Sequence, residues 1–342
     1  MGRGPTQQYF KAMNSNYVEG TLTCLKPDVI KAKISTEFPL VLNIEPTNAC
    51  NAKCYYCPRE RTIQSQGENY LDFSIFRKII DQISGHKLIM LNLHKDGESL
   101  LHHDLPEMVG YARKKDAAQI IHLNTNGTLI NTKTGKSIIE NEIDDITVSI
   151  DAAREETYQK LKKIKGLVKL EENIKKAIDY RNRIHSKTRI RVKIMEFDDV
   201  KTDEIEFFRE KWKDVADEVQ VTGVHNWSGA IEGFAITDEQ THDRYPCALL
   251  WYMLAINSNG KVSICNVDYD YSGVVGDIHK QSIKEIWNGD LIKNVRVNQL
   301  NGIWEKPHVC EECVVWVSVG NIWEFLQTRN EFISFNNGFN KK

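Results

Sequence analysis

A chain of 342 residues, 41% hydrophobic and 27% charged, has the composition of an ordinary globular protein, long enough for one large α/β barrel or two modest domains. Its 45 basic and 47 acidic residues leave a formal net charge of −2, without the basic surplus that marks a nucleic-acid binder, so no nucleic-acid partner is expected. The longest unbroken apolar run, Cys247 to Ile256, is too short to cross a bilayer, and the start MGRGPTQQYFK lacks the apolar stretch of a secretory signal.

A cytoplasmic protein with no membrane partner is therefore expected. In that reducing compartment its eight cysteines point to metal or redox chemistry rather than to disulfides.

Residues 1–38 read as an N-terminal extension containing Cys24. From residue 39 two periods alternate. VLNIEPT, LIMLNLHKDG, QIIHLNTNG, DITVSIDA, RIRVKIMEF and EVQVTGVH are short β-branched runs ending in polar residues or glycine. Between them FSIFRKIIDQI, DLPEMVGYARKK, KSIIENEI, LVKLEENIKKAIDYRNRI and DEIEFFREKWKDV carry apolar residues three and four apart, the helical signature. Six strand–helix repeats imply an α/β fold with a parallel sheet and external helices, a partial (β/α)6 TIM-like barrel over residues 39–235. Reactive groups then belong at the C-terminal ends of the strands.

After that the pattern changes. ALLWYMLAINSNGKVSIC reads as two strands joined at Ser258-Asn259-Gly260, a hairpin-type turn, and SIKEIWNGDLIKNVRV as one helix. Residues 236–315 form a small α+β domain in this reading. Residues 316–342, with Trp316, Trp323, Phe325, Phe332, Phe335 and Phe339, form a packed cap or tail.

Seven cysteines fall in two sets. Cys50, Cys54 and Cys57 follow the first strand as CNAKCYYC. Three thiolates on one loop can converge on a soft metal centre; an iron–sulfur cube would keep one iron open, and a zinc site borrowing a fourth ligand is the alternative. Cys247 and Cys265 bracket the hairpin, and Cys310 and Cys313 form a CxxC past the helix. Four thiolates close a site completely, and spacing alone leaves a structural zinc open there too.

CxxxCxxC after the first strand, with Tyr56 just before its last cysteine, resembles the radical S-adenosylmethionine (SAM) superfamily. The resemblance continues in order along the barrel. Lys95-Asp96-Gly97-Glu98 stands where the family has its GGE motif, with Asp96 and Ser99 as departures; Asn124-Thr125-Asn126-Gly127 ends the third strand; Ser149 and Asp151 end the fourth. It implies that Cys50, Cys54 and Cys57 hold a [4Fe–4S] cluster whose open iron is chelated by SAM. It further implies that Tyr56, Asp96, Gly97, Glu98, Asn124, Asn126, Ser149 and Asp151 contact SAM.

CX12GX4C from Cys247 through Gly260 to Cys265, followed by CxxC, is similar to the SPASM/twitch extension of these enzymes, in its shorter one-cluster form. Cys247, Cys265, Cys310 and Cys313 would then hold a second, fully ligated [4Fe–4S] cluster.

A closed cluster suits electron transfer. The resemblance, which extends in organisation to twitch-domain dehydrogenases of an amino-cyclitol (2-deoxy-scyllo-inosamine), implies an oxidoreductase. Its substrate would be small and carbohydrate-like (a cyclitol, sugar or sugar nucleotide), with a flavodoxin or ferredoxin as electron donor. The alternatives are an epimerase, for which Cys24 would return the hydrogen, and a peptide- or protein-modifying maturase of the sulfatase-maturase kind. The short segment before the first strand offers no room for the leader-recognition domain such maturases often carry. Glu45, Lys193, Glu196, His225, Asn226 and Trp227, at or past strand ends, are candidates for the substrate pocket. His225 is the candidate proton acceptor, because imidazole titrates in the useful range.

Overall fold

The computed structural model describes residues 37–86, 88–197, 200–223, 226–231 and 244–317. Cys24, His225 and the aromatic tail past residue 317 lie outside these residues. Six parallel strands build the body of the sheet: β1 (Val41–Ile44), β2 (Leu88–Asn92), β3 (Ala118–Thr125), β4 (Asp145–Ser149), β5 (Arg189–Glu196) and β6 (Glu218–Gly223). Each pairs with the next in chain order. The crossovers are helical, as parallel pairing requires. They are α1 (Arg59–Gln66) with α2 (Phe73–Ile83), α3 (Leu105–Lys114), α4 (Lys133–Glu140), α5 (Glu155–Lys162) with α6 (Leu167–Arg183), and α7 (Thr202–Trp212).

The alternation within the strands sets the chemistry of the two faces, since successive side chains point to opposite sides. Ile89 and Leu91 in β2, Ile121 and Leu123 in β3, Ile146 and Val148 in β4, and Ile190, Val192 and Ile194 in β5 are almost fully buried. This aliphatic set belongs to the same core as helix residues such as Phe76, Ile79, Ile80 and Ile83 of α2.

The opposite face is polar. Asn92 donates to Asn43, His122 Nδ1 lies 2.8 Å from Asn92 Oδ1, and His122 Nε2 lies 3.2 Å from Thr147 Oγ1. Arg191, with its side chain fully buried, donates to Asp145 Oδ1 through Nε at 2.9 Å and also through Nη2. A barrel interior filled by branched aliphatics needs no such network; here each buried polar group has to find a partner, and these do.

Past β6 the chain returns to the other edge. β7 (Met253–Ile256) pairs parallel with β1, and β8 (Lys261–Ser263) and β9 (Val274–Asp277) continue antiparallel. The nine strands run β6-β5-β4-β3-β2-β1-β7-β8-β9, so β6 and β9 remain edges and the barrel is partial, with the small β-hairpin region growing off its β1 side. The first strand expected there starts only at Met253, because Ala248–Trp251 forms a 3₁₀ turn. The single helix expected over SIKEIWNGDLIKNVRV is two, α8 (Ile283–Trp287) and α9 (Asp290–Leu300). Gly289 breaks it by adopting extended backbone, φ −74° and ψ 162°, as the N-cap of α9. Among the described residues no helix is long and apolar enough to cross a membrane.

Candidate functional site

A cavity of about 280 Å³ lies where the strands' C-terminal ends meet the loop after β1. Cys50, Cys54 and Cys57 all face it. The loop that carries them is held by backbone bonds: Glu98 N–H donates to Ala49 O at 2.7 Å, Tyr55 N–H to Leu161 O at 3.1 Å, and Cys57 N–H to Cys54 O at 3.1 Å. Arg59 at the start of α1 adds a bond from Nε to Asn48 O at 2.6 Å. Burial pushes the Cys57 thiol up to about 12 and raises Cys50 as well. An apolar setting alone would therefore keep these thiols protonated, and a bound cationic centre is what would favour the thiolates.

The side chains expected to touch SAM divide into two groups. Some are committed to the protein. Glu98 Oε1 accepts from Leu100 N–H (3.1 Å) and Thr125 Oγ1 (2.7 Å), and its Oε2 accepts from Asn126 N–H (2.7 Å). The Asn126 amide donates to Asn51 at 2.7 Å and accepts from Thr128. Asn124 binds His94, with its N–H 3.1 Å from Nδ1. The Tyr56 hydroxyl donates to Asp151 Oδ2 at 2.8 Å. These groups shape the cavity wall with their polar atoms already engaged.

Others keep capacity. Ser149 is half-buried on the wall, and Asp151 Oδ1 and Asp96 Oδ1 are buried without a protein partner. Asp96, the departure from the family motif, is joined to the buried Lys95, and burial pushes its carboxyl up to about 7. Its N–H donates to Glu45 Oε1 at 2.9 Å.

The substrate candidates separate in the same way. Lys193 and Trp227 line the cavity. Glu45 and Glu196 do not, and neither does Asn226, whose amide ties the end of β6 to the CxxC loop through Glu312 O at 2.7 Å. Glu45 is a staple between the barrel and the hairpin: Oε2 accepts from Ser258 N–H at 3.0 Å and from its hydroxyl at 2.8 Å, while Oε1 holds Asp96. Glu45→Gln is accordingly expected to cost about 1.5–3 kcal/mol, the range for hydrogen bonds to a charged group. A urea melt would show the loss, with SAM affinity unchanged; the reverse pattern would make Glu45 a ligand contact.

Sequence reasoning missed several neighbours. Lys162, at the end of α5, donates to Asp151 Oδ2 and lies 5.4 Å from the Tyr56 ring centroid; it was one lysine of a basic run, and nothing in the run marked it as the buried one. His94, Gln220 and Asn266 also line the wall. For the first two the strand period was the available signal, since His94 continues the inward face of Asn92 and Gln220 pairs with Lys193. Burial and the Lys193 charge push His94 down to about 3, and its Nδ1 already accepts the Asn124 N–H, so it stays neutral.

The other four cysteines among the described residues, Cys247, Cys265, Cys310 and Cys313, line one apolar pocket with Leu249, Ile264 and Val267. Burial pushes Cys247 up to about 12 and raises the other three. Gly260 makes the hairpin turn at φ +80°, where a Cβ would stand 2.3 Å from His279 Nε2. Arg244 also lines this pocket.

Among the described residues, the one trio of His, Cys, Asp or Glu with ligand atoms all within 4.8 Å of one another is His102, His103 and Asp104. His102 is not available as a ligand: Nε2 lies 3.0 Å from Leu71 O and Nδ1 accepts Asp104 N–H at 3.1 Å, so both ring nitrogens are engaged. Neither cysteine set is gathered that tightly.

The family model for the radical SAM superfamily matches residues 44–199, and that for the SPASM iron-sulfur cluster-binding domain matches residues 247–314. Among characterised proteins, the chain is 33% identical over 120 residues to the Fe-coproporphyrin III synthase of Methanosarcina barkeri, covering 35% of this chain and 29% of that protein. It is 32% identical over 141 residues to the probable GTP 3',8-cyclase of Methanocaldococcus jannaschii, covering 40% and 45%. The matched part thus spans less than half of either relative.

Solved structures share the fold at low identity. BtrN in complex with AdoMet and 2-DOIA has a TM-score of 0.57 at 18% identity, covering 81% of this chain and 93% of that one. Streptococcus suis SuiB bound to precursor peptide SuiA gives 0.60 at 15%, covering 88% and 75%. The AdoMet-bound anSMEcpe gives 0.59 at 14%, covering 88% and 100%.

Proposed function

The chain is a radical SAM enzyme with a C-terminal SPASM domain, and from that premise we propose that it oxidises a hydroxyl group of a small polar substrate, a cyclitol, sugar or sugar nucleotide. When bound, a [4Fe–4S] cluster on Cys50, Cys54 and Cys57 with SAM would supply a 5′-deoxyadenosyl radical that removes a hydrogen atom from carbon, and one on Cys247, Cys265, Cys310 and Cys313 would supply an acceptor for one electron. What remains for the chain is to hold the substrate, exclude water and take the hydroxyl proton.

Lys193 is placed for the last task. It is half-buried on the cavity wall, and burial lowers its pKa, so its neutral amine is more accessible than that of an exposed lysine. The other expected acceptor, His225, lies outside the described residues, and His94 has no free basic nitrogen. Trp227 supplies an apolar wall for the carbon skeleton.

The observation that carries the reading is the position of Asn266. It follows Cys265 directly and forms part of the wall of the first cavity. Cys265, one of the second thiol set, therefore belongs to a segment that borders the reaction space, where an electron acceptor would be useful. Clusters are favoured over zinc by the two family models, since the radical SAM match spans Cys50, Cys54 and Cys57 and the iron-sulfur cluster-binding match spans Cys247, Cys265, Cys310 and Cys313.

Anaerobic reconstitution tests the proposal. The wild type should bind about eight irons and Cys247→Ala about four, since each cube holds about four. Incubation with SAM, dithionite and a panel of cyclitols and sugars should yield 5′-deoxyadenosine and a carbonyl product in equal amounts. Solvent deuterium fixed at carbon without a carbonyl would make the enzyme an epimerase, and turnover of a peptide alone would make it a maturase. One cluster plus zinc would remove the electron acceptor altogether.

A further inference from the structure

Among the described residues, Arg244 is the one cationic side chain lining the pocket of Cys247, Cys265, Cys310 and Cys313, and it has no part in the chemistry described so far. Its guanidinium is held on three sides. Nη1 donates to Glu311 O at 2.7 Å and Nη2 donates to Cys310 O, so both bonds fall on the CxxC loop. Its Cζ stands 4.7 Å from the Trp304 ring centroid and 5.9 Å from that of Trp316. Nε is buried and has no partner. Among the described residues no carboxylate pairs with it, and the charges that act on it are those of Cys313, Cys310 and Cys247.

Arg244 is half-buried, with Nε and the Nη2 bond on the protein side, and among the described residues the charges that face it are those of the thiols and what they bind. A centre held by four thiolates carries net negative charge, and taking up one electron adds another unit. A fixed positive charge in a water-poor pocket stabilises the reduced form more than the oxidised form, since the interaction grows with the charge it meets.

We infer that Arg244 sets the reduction potential of the centre held by Cys247, Cys265, Cys310 and Cys313, raising it so that this centre accepts an electron. The inference rests on the proposed function, in which that centre is an iron–sulfur cluster.

The test uses the full-length chain carrying Cys50→Ala, Cys54→Ala and Cys57→Ala, so that the second centre is read alone, by iron counting and EPR-monitored redox titration. Arg244→Gln should keep about four irons and shift the one-electron equilibrium at least tenfold toward the oxidised form, ~59 mV more negative. Arg244→Lys, which keeps the charge without the planar stack, should recover most of that shift. A full iron complement with an unmoved potential in Arg244→Gln overturns the inference. Should Arg244→Gln fail to load, Arg244→Lys decides: a potential near that of the parent supports it, and a tenfold or larger shift opposes it. Iron loss from both variants would make Arg244 a brace of the CxxC loop and nothing more. A parent protein without iron would remove the second centre, and the inference with it; iron present with the potential unmoved rejects the inference and leaves the proposed function standing.

Discussion

Gly97→Ala is expected to abolish iron binding at Cys50, Cys54 and Cys57 and, with it, reductive cleavage of SAM. A Cβ at residue 97 would stand 2.1 Å from Thr47 O, 2.6 Å from Ala49 O and 2.8 Å from Asn48 C. All three atoms are backbone, so no rotamer change relieves the collision. They belong to the segment that leads into Cys50. That segment cannot yield freely, because Glu98 N–H holds Ala49 O, Arg59 holds Asn48 O, and Asn48 Oδ1 accepts Asn69 N–H at 2.7 Å. Overpacking a well-filled site costs about 1–3 kcal/mol and sometimes more; contact at 2.1 Å with fixed backbone belongs at or beyond the upper end. Gly97 thus serves a close approach of two backbones, not an unusual φ. Gly67→Ala separates backbone strain from collision: a Cβ there meets nothing within 4 Å, but φ +70° with ψ 175° is a region essentially reserved for glycine, so the change costs about 1–3 kcal/mol without a clash. It should keep its iron. Iron and sulfide counts with SAM cleavage read both variants, and a Gly97→Ala protein that still loads its first site would refute the argument.

Much of this architecture was legible because each layer of the sheet has a simple period. The strand runs and the α2 stretch FSIFRKIIDQI fall where the alternating and three-four patterns put them. Two helices were passed over for physical reasons. RERTIQSQ of α1 buries only Arg59 and Thr62, and EETYQKLK of α5 buries only Tyr158, Leu161 and Lys162. Neither has an apolar stripe to detect; tertiary contacts with the cysteine loop and the cavity wall fix them instead.

The site was legible to the extent that its chemistry is concentrated. Cysteines at short spacing announce themselves, and their grouping into three and four is reproduced by the two pockets they line. The partners that condition them are dispersed. Arg244 belongs with Cys310, sixty-six residues away, and Lys95 reaches Asp268 O across 173 residues at 3.1 Å. No local pattern encodes such pairs. Asp96 was readable as a departure from the motif, but its consequence was not: a buried ion pair with Lys95 at the seam between barrel and hairpin, beside Tyr271, whose ring lies 5.3 Å from Lys95 Nζ.

The polar inner face of the strands explains why the first cavity can hold charged groups at all. Arg191–Asp145 and the Asn43–Asn92–His122 chain fill the barrel beneath it with satisfied polar atoms. His94 stands edge-on to His122 at 5.1 Å, between that floor and the wall. A cavity floored by hydrogen-bonded groups offers fixed dipoles in place of water, the setting in which electrostatic interactions with a bound substrate are strongest.

Breaking the Lys162–Asp151 pair is the second change with a large expected effect. Both side chains are almost completely buried, and Asp151 Oδ2 also receives the Tyr56 hydroxyl. Burial lowers the lysine's affinity for its proton, but the charges of Asp151, Cys54 and Tyr158 together with the Asp151 hydrogen bond outweigh it, so its pKa lies above the ordinary range. A group whose pKa is raised on folding contributes stability in full below its unfolded value, about 10.4 for lysine, and loses it as the pH rises through the folded value. The pair is therefore intact throughout the neutral range.

Lys162→Met keeps the bulk of the stem but leaves a carboxylate in a dry site, and removing one partner of a buried pair costs about 3–5 kcal/mol. The effect should reach the cluster loop, because Lys162 O and Leu161 O accept from Lys53 and Tyr55 N–H, and Tyr56 hangs on the same carboxylate. The expected result is a lower urea midpoint together with reduced iron at the first site. Lys162→Met with Asp151→Asn should regain most of the stability, since the neutral amide removes the stranded charge while its oxygen still accepts the Tyr56 hydroxyl. A single variant within about 1 kcal/mol of wild type, the scale of an exposed pair, would mean that solvent reaches the site and that Tyr56, not the ion pair, holds the loop.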